Sequence, residues 1–308
     1  MFNGILPVWK PAGMTSHDVV FKLRKILKMK KIGHTGTLDP EVEGVLLICL
    51  GQATKLVEFL MSGRKVYQGS IILGISTETE DSHGAIVDRE FLKEPIETSR
   101  IDHCMKEMEG SIVQIPPYYS AVKVNGRRLY EYARLGQEVE RPKRIAQIDS
   151  FERLNIPFFD IEEGTQTWSF RVLCGKGTYV RTLAVDLGQK LGYPSHMSHL
   201  VRMETGGFSQ ADCLTLEEIQ VAMNEGRLAA SIHPIERALA DFPKLELTDS
   251  QAKQVLHGAV LSEKEFGTLI DQSTVLFWQD KALAIYYPHP LKPGLIKPQR
   301  MFTGEEEK

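Results

Sequence analysis

The chain has 308 residues, 42% of them hydrophobic and 25% charged, with 37 Lys+Arg against 40 Asp+Glu. Such values belong to a chain that buries a core and exclude a disordered tail or a collagen-like repeat. The net charge of −3 argues against a nucleic-acid binder, which usually carries a basic excess.

The longest apolar run, Val45–Leu50, is six residues, against the ~20 that a membrane span needs. The opening MFNGILPVWKPAGMTS has no basic segment followed by an apolar stretch, so a secretory leader is not expected. Cys49, Cys104, Cys174 and Cys213 are scattered and form no CxxC pair. They are expected to be reduced and buried in a cytoplasmic protein. His196 and His199 lie three apart, but no HExxH or Cys/His cluster accompanies them, so no metal site is expected.

In chain order, Thr15 and Asp18 have capping-box spacing and open a helix. Val19, Val20, Leu23, Ile26 and Leu27 form its apolar face. Lys22, Arg24, Lys25, Lys28, Lys30 and Lys31 are assigned to the other face. Their bias exceeds what solvation needs, and an anion-binding role stands level with a solvated surface. A Gly- and Pro-punctuated loop then leads into the buried-strand pattern Val45–Leu50. Ala53–Met61 reads as a helix, Tyr67–Ile75 as a strand, Thr77–Gly84 as an acidic loop and Ser99–Met108 as a helix. Pro116–Arg144 interleaves Tyr118, Tyr119, Tyr130 and Tyr132 with seven basic residues. Stacking faces among cations suit looped or single-stranded RNA, but snorkelling Arg on a core segment fits equally well. Gln166–Leu173 alternates as a half-buried strand, and Thr178–Leu191 reads as a helix. The composition shifts near residue 240; a helix at Asp249–His257 and a hairpin around Gln279-Asp280-Lys281 suggest a small β-rich domain. The acidic terminus Glu305–Glu307 closes the chain.

Nucleotide motifs fail. Gly175-Lys176-Gly177-Thr178 breaks the P-loop pattern, Asp81-Ser82-His83-Gly84 matches a DxxG with no P-loop behind it, and no GxGxxG follows a strand. Asp39 in its glycine-rich turn is either a turn former or a rigidly held carboxylate able to attack a sugar carbon. Glu41 and Glu43 are too near on the same loop to serve as a glycosidase partner.

Five blocks in order resemble the TruB family of bacterial tRNA pseudouridine-55 synthases: Gly4–Lys25, GHTGTLDP (Gly33–Pro40), Pro116–Arg134, GKGTYVRTL (Gly175–Leu183) and HLVRMETGGF (His199–Phe208). The chain departs from the family pattern at Trp9, where an Asp is usual. The resemblance implies an α+β fold: a mixed, largely antiparallel sheet flanked by helices, with a C-terminal PUA-like module. It implies a catalytic domain over 1–240, an RNA-clasping insertion at about 116–144, and a PUA-like domain over 241–308.

The implied reaction isomerises uridine 55 in the tRNA T loop. It involves no redox change and no hydrolysis, so no cofactor is expected. By motif match Asp39 is the nucleophile, and Arg181 is the cation that would orient it and favour its ionised form. Tyr67 would stack on the flipped base and help remove the C5 proton. Tyr179 and Leu200 would contact the base, and His34 would fill the space it vacates, since flipping costs a few kcal/mol. Lys22, Lys25, Arg127 and Arg128 would meet the RNA backbone. A monomer needing no guide RNA or protein partner is expected; a tRNA-folding role beside catalysis is the competing reading.

The charge distribution revises the opening inference. Residues 1–65 carry 10 basic and 5 acidic side chains, and 123–144 carry 7 and 3. A local positive stripe on an acidic protein can bind RNA with salt-dependent affinity.

Overall fold

The computed structural model of the chain describes residues 2–240 and 242–302. Glu305–Glu307, and Asp241 at the expected domain boundary, lie outside the described residues. The described residues form two compact units. The first takes the residues up to Pro40, Val45–Met61 and those from Gly206 on; the second takes Glu41–Gly44 and Ser62–Thr205. Among the described residues no helix is long and apolar enough to cross a membrane.

In the first unit, Thr15 and Asp18 form the expected capping box on the helix Ser16–Leu27. The helix ends at Lys28, which takes a left-handed conformation (φ 51°). Lys30 and Lys31 therefore follow the helix instead of extending its basic face, which corrects the periodicity reading. Val19, Val20, Leu23 and Leu27 bury against Leu6, Val8, Leu46, Ile48 and Leu50. The strand Glu43–Leu50 is fully buried from Val45 onward. It pairs antiparallel with Ile32–His34, setting His34 opposite Ile48. The expected helix Ala53–Met61 is instead a 3-10 segment, Gly51–Leu56, followed by one α turn, Val57–Leu60.

The C-terminal sheet orders its strands Lys244–Glu246, Thr274–Trp278, Lys281–Pro288, Leu295–Met301 and Leu261–Ser262. Gln279 and Asp280, both left-handed (φ 51° and 63°), make the tight turn that the hairpin reading required. Alternation splits this sheet between two cores. Leu276, Ala284 and Tyr286 pack with Val255 of the helix Asp249–Leu256, while Val275, Phe277 and Ile285 pack with Ile5, Val45 and Leu47. Cutting the chain at residue 240 would therefore strip the N-terminal strands of part of their core.

In the second unit, Ser195–Thr205, Lys65–Leu73, Thr165–Cys174, Arg144–Arg153 and Gly110–Gln114 lie side by side, every pairing antiparallel. Glu43 and Gly44 add a parallel pairing to Val201 and Arg202, so the sheet is mixed but largely antiparallel. The helices Thr98–Glu107 and Val180–Leu191 accompany it. Trp168, Phe170 and Val172 are fully buried, as their alternation predicted. The strand begun near Tyr67 stops at Leu73, because Gly74 turns the chain at φ 106°. The acidic loop is the tip of a small hairpin, Ile75–Thr77 with Ile86–Arg89.

Candidate active site

In the first unit, the segment Gly33–Pro40 is held by buried polar groups. Lys10, wholly buried, donates from Nζ to the carbonyls of Pro11 (2.8 Å), Pro40 (2.9 Å) and Met14. A buried ammonium is tolerated only when it is hydrogen-bonded in this way. The Ser16 hydroxyl accepts from the Leu38 amide (2.9 Å), and the Thr35 amide donates to the Leu47 carbonyl (3.1 Å). Asp39 thus sits, half-buried, between two anchored neighbours, Leu38 and Pro40. His34 stands edge-on to His17, with ring centroids 5.1 Å apart. Lys22 and Lys25 are exposed, and the Lys25 ammonium lies 4.4 Å from the centroid of the Phe21 ring.

In the second unit, register assembles one face of the sheet. Tyr67 lies opposite Arg202 on one side and Val172 on the other. Leu200 lies opposite Gly69, two residues along from Tyr67, and Phe170 flanks Gly69 on its other side. A Cβ at Gly69 would meet the Phe170 ring at 2.8 Å and Leu200 at 3.1 Å, so the glycine makes room for both. Tyr67, Leu200 and Arg202 are buried. At the head of the same strand, burial and the nearby Arg202 guanidinium pull the Lys65 ammonium down to about 8.

Tyr179 and Arg181 are placed by the start of the helix Val180–Leu191. The buried Gln114 side chain clasps the Tyr179 backbone from both sides: its Oε1 accepts from the amide (3.0 Å) and its Nε2 donates to the carbonyl (3.1 Å). The Arg181 guanidinium, buried, donates to the carbonyls of Thr79 (2.9 Å) and Tyr119 (3.0 Å). The Asp81 carboxylate lies 3.9 Å from it. Thr182 donates to Glu80 at 2.7 Å. Burial pushes the Glu80 carboxyl above its ordinary range, against the pull of Thr182 and Arg181.

Composition and motif matching did not single out Glu80, Thr182, Gln114 or Lys10. Asp81 had been set aside as part of a DxxG match. That motif is a turn in which Asp81 accepts from the Thr79 hydroxyl (2.7 Å) and the His83 amide (3.0 Å). Its usable signal is Glu80-Asp81 directly after Thr77-Glu78-Thr79, a polar run too dense for an ordinary hairpin tip.

Arg127 and Arg128 are exposed on a minimal hairpin, Lys123–Val124 with Arg127–Arg128, turned by Asn125 and Gly126. The tyrosines of this insertion already carry cations. Arg141 lies 4.4 Å from the Tyr118 ring, and Arg134 lies 5.3 Å from Tyr130. Neither the stacking-surface reading nor the snorkelling reading is complete, because the stacks form within the protein. Of the two histidines, His196 places Nδ1 2.7 Å from the Ile75 carbonyl, and His199 follows the bulge after Met197.

Solved structures share this fold. The chain superimposes on a protein of a Cbf5-Nop10-Gar1 complex with a TM-score of 0.75 and 28% identity, covering 97% of this chain and 85% of the other. It matches a protein of an H/ACA RNP bound to a substrate RNA containing 2′-deoxyuridine with a TM-score of 0.73 and 26% identity, covering 98% and 86%. The chain thus shares its α+β fold with these proteins, and the class of enzyme, pseudouridylate synthase, comes from the family models. Residues 24–180 match the TruB family pseudouridylate synthase N-terminal domain, and residues 181–240 the tRNA pseudouridylate synthase B C-terminal domain. Two similar relatives, each named tRNA pseudouridine synthase B, come from Bacillus pumilus (strain SAFR-032), 49% identical, and Bacillus subtilis (strain 168), 48% identical. Both alignments cover 100% of both chains. The chain belongs to the TruB family of pseudouridylate synthases.

Proposed function

We propose that this enzyme converts uridine 55 in the T loop of tRNA to pseudouridine in the cytoplasm, with Asp39 as nucleophile and Arg181 as the cation that orients it. The observation that carries the assignment of Asp39 is its loop. A turn former needs no buried ammonium behind it, whereas a carboxylate that must meet a reacting carbon does. Lys10 and Ser16 supply that rigidity at Pro40 and Leu38. Attack at C1′, addition to the base and a glycal-type elimination all require an ionised carboxylate at this position. In each, the N-glycosidic bond breaks, uracil turns and C5 bonds to C1′, with the C5 proton lost to solvent and N1 taking one up, so the product is an isomer of the substrate.

The strand face of Tyr67 and Leu200 is suited to a flat base. One ring stacks, and the aliphatic neighbour excludes water. Tyr179 contacts the base from the helix start, and Tyr67 aids removal of the C5 proton. His34 fills the gap left by the flipped nucleotide. Lys22, Lys25, Arg127 and Arg128 hold RNA phosphates, and the module over 241–308 acts as a PUA-like RNA contact. The protein acts as a monomer without guide RNA, partner protein or cofactor.

The test is a T-arm RNA hairpin incubated with the purified chain alone. Pseudouridine should form at one position, and Asp39→Asn should abolish it while RNA binding persists. Modification that survives Asp39→Asn removes the nucleophile assignment. Modification that appears only with added guide RNA removes the stand-alone one. RNA refolding preserved in Asp39→Asn would add the tRNA-folding role.

A further inference from the structure

Three chain segments of the first unit meet in a groove of about 460 Å³. Lys30, Lys31, Ile32 and Gly33 form one wall, and Thr54, Lys55, Val57 and Glu58 another; Arg300, on the last strand of the C-terminal sheet, closes it. Four of these nine residues are cationic and one is acidic. Gly33 sets the clearance: a Cβ there would press on Val57 at 3.3 Å. Backbone bonds fix the two lysine positions, with the Ile32 amide donating to the Lys30 carbonyl and the Gly51 amide to that of Lys31, both at 3.0 Å. Lys55 donates to the Met301 carbonyl at 3.2 Å, tying the 3-10 segment to the same C-terminal strand.

The single acid is placed tellingly. Arg300 donates to the Glu58 carboxylate at 2.7 Å, yet the Glu58 side chain is 77% exposed and Arg300 41%. A carboxylate so exposed gains little from the pair. It occupies a guanidinium edge whose fork equally fits a phosphate. We propose that this groove holds the sugar-phosphate backbone of the substrate RNA, with Lys30, Lys31 and Arg300 on phosphates and Glu58 as a placeholder that the RNA displaces from Arg300. The occupant is an RNA backbone and not a small anion, because the cations come from three separate chain segments around the groove instead of from one cluster. The segment Ile32–His34 also runs from this groove straight into the Asp39 loop. Glu58 would then lower affinity for any polyanion that cannot pay to displace it, a selective element at a surface otherwise attractive to all RNA.

This inference rests on the enzyme being an RNA-modifying one, and the experiment separates the two. Affinity of the full chain for a T-arm RNA hairpin is measured against salt concentration. Glu58→Gln should tighten binding about threefold, a gain that misfolding cannot produce. Arg300→Gln should weaken it about five- to tenfold and lower the salt slope by about one; Lys30→Ala with Lys31→Ala should lower it by about two. In the Arg300→Gln background, Glu58→Gln should have no further effect. The proposal is overturned if Glu58→Gln weakens binding or leaves it unchanged, or if Arg300→Gln leaves the slope intact. It is also overturned if inorganic phosphate titrated into the protein saturates the groove at low millimolar concentration, which would make it a small-anion site. Pseudouridine formation by the unaltered chain is scored on the same hairpin; its absence sinks the enzymatic reading whatever the groove does.

Discussion

Arg181 and Arg128 are the same residue type put to opposite uses. Arg181 is buried, and its guanidinium donates to the carbonyls of Thr79 and Tyr119. Arg128 is exposed on a two-residue strand and leans towards the Tyr130 ring at 5.8 Å. Around Arg181, every neighbour is pinned: Tyr179 by Gln114, Thr182 by Glu80, and the Thr79 turn by Asp81. Around Arg128, the ties are local to the insertion and mostly exposed: its amide donates to Glu131 (2.7 Å), its guanidinium to the Tyr130 hydroxyl (3.3 Å), and the Tyr132 hydroxyl to the Val124 carbonyl (3.0 Å). Under the proposed function, the difference would separate chemistry from capture. A reacting geometry has to be over-determined, since small displacements are costly in rate. A surface that meets a phosphate backbone gains from side chains that can adjust.

The largest test of that contrast is Arg181→Lys. An ammonium cannot span two carbonyls as a planar fork does. One carbonyl would be left unsatisfied, and the cation would leave its fixed position. Pseudouridine formation under single-turnover conditions should fall about 100-fold, with only a modest loss of RNA affinity. If the rate survives, Arg181 is a structural clamp and not part of the reacting geometry.

Next comes Gln114→Ala, remote from the proposed chemistry. It removes two buried bonds to the Tyr179 backbone. At about 1 kcal/mol each, unfolding in urea should show a loss of about 2 kcal/mol with an unchanged m-value. Activity should fall too, because the start of the helix at Val180 loses its anchor. A stability loss without any change in rate would show that the clasp on Tyr179 serves the fold alone.

What the sequence disclosed divides along the same line. The helix Ser16–Leu27 was legible because its cap and its apolar stripe are local. The strands were legible from alternation in Trp168, Phe170 and Val172. The stop at Lys28 was missed because the lysine run continues past it, and charge periodicity does not sense a left-handed residue. The 3-10 segment Gly51–Leu56 was missed because a 3-10 turn and an α turn share their apolar spacing over so few residues. The glycine-rich turn leaves Asp39 open as turn former or nucleophile and the block resemblance decides between them, whereas Arg181 rests on the resemblance alone. Lys10 and Gln114 were invisible because their partners are carbonyls, and any residue supplies a carbonyl. The sequence marks the groups that differ chemically, while the groups that hold them in place bond to backbone and leave no pattern.

The exposed side of the contrast predicts a smaller effect of a different kind. Arg127→Ala with Arg128→Ala should leave stability within about 0.5 kcal/mol. Affinity for the T-arm hairpin should drop about tenfold, and the salt slope by about two. A fall in Tm would mean that the insertion's cations are structural after all.

The smallest expected effect probes the cost of building the pinned side. Asp186 lies one turn beyond Thr182 in the same helix, and burial raises its carboxyl from an ordinary 3.8 to about 6. A carboxyl raised on folding binds its proton more readily in the native state, so native stability is greatest below pH 4 and declines as pH rises through about 6. Above that, the native chain carries a partly desolvated charge. A two-unit shift would convert to about 2.7 kcal/mol, and solvent screening of the side chain's exposed part reduces this to about 1 kcal/mol. Asp186→Asn should therefore raise stability by about 1 kcal/mol at pH 7.5 and by nothing near pH 4. A gain that is equal at both pH values would place its origin in packing. A loss at pH 7.5 would mean that the ionised carboxylate is paired usefully, and that the ordered helix start carries no electrostatic penalty of this kind.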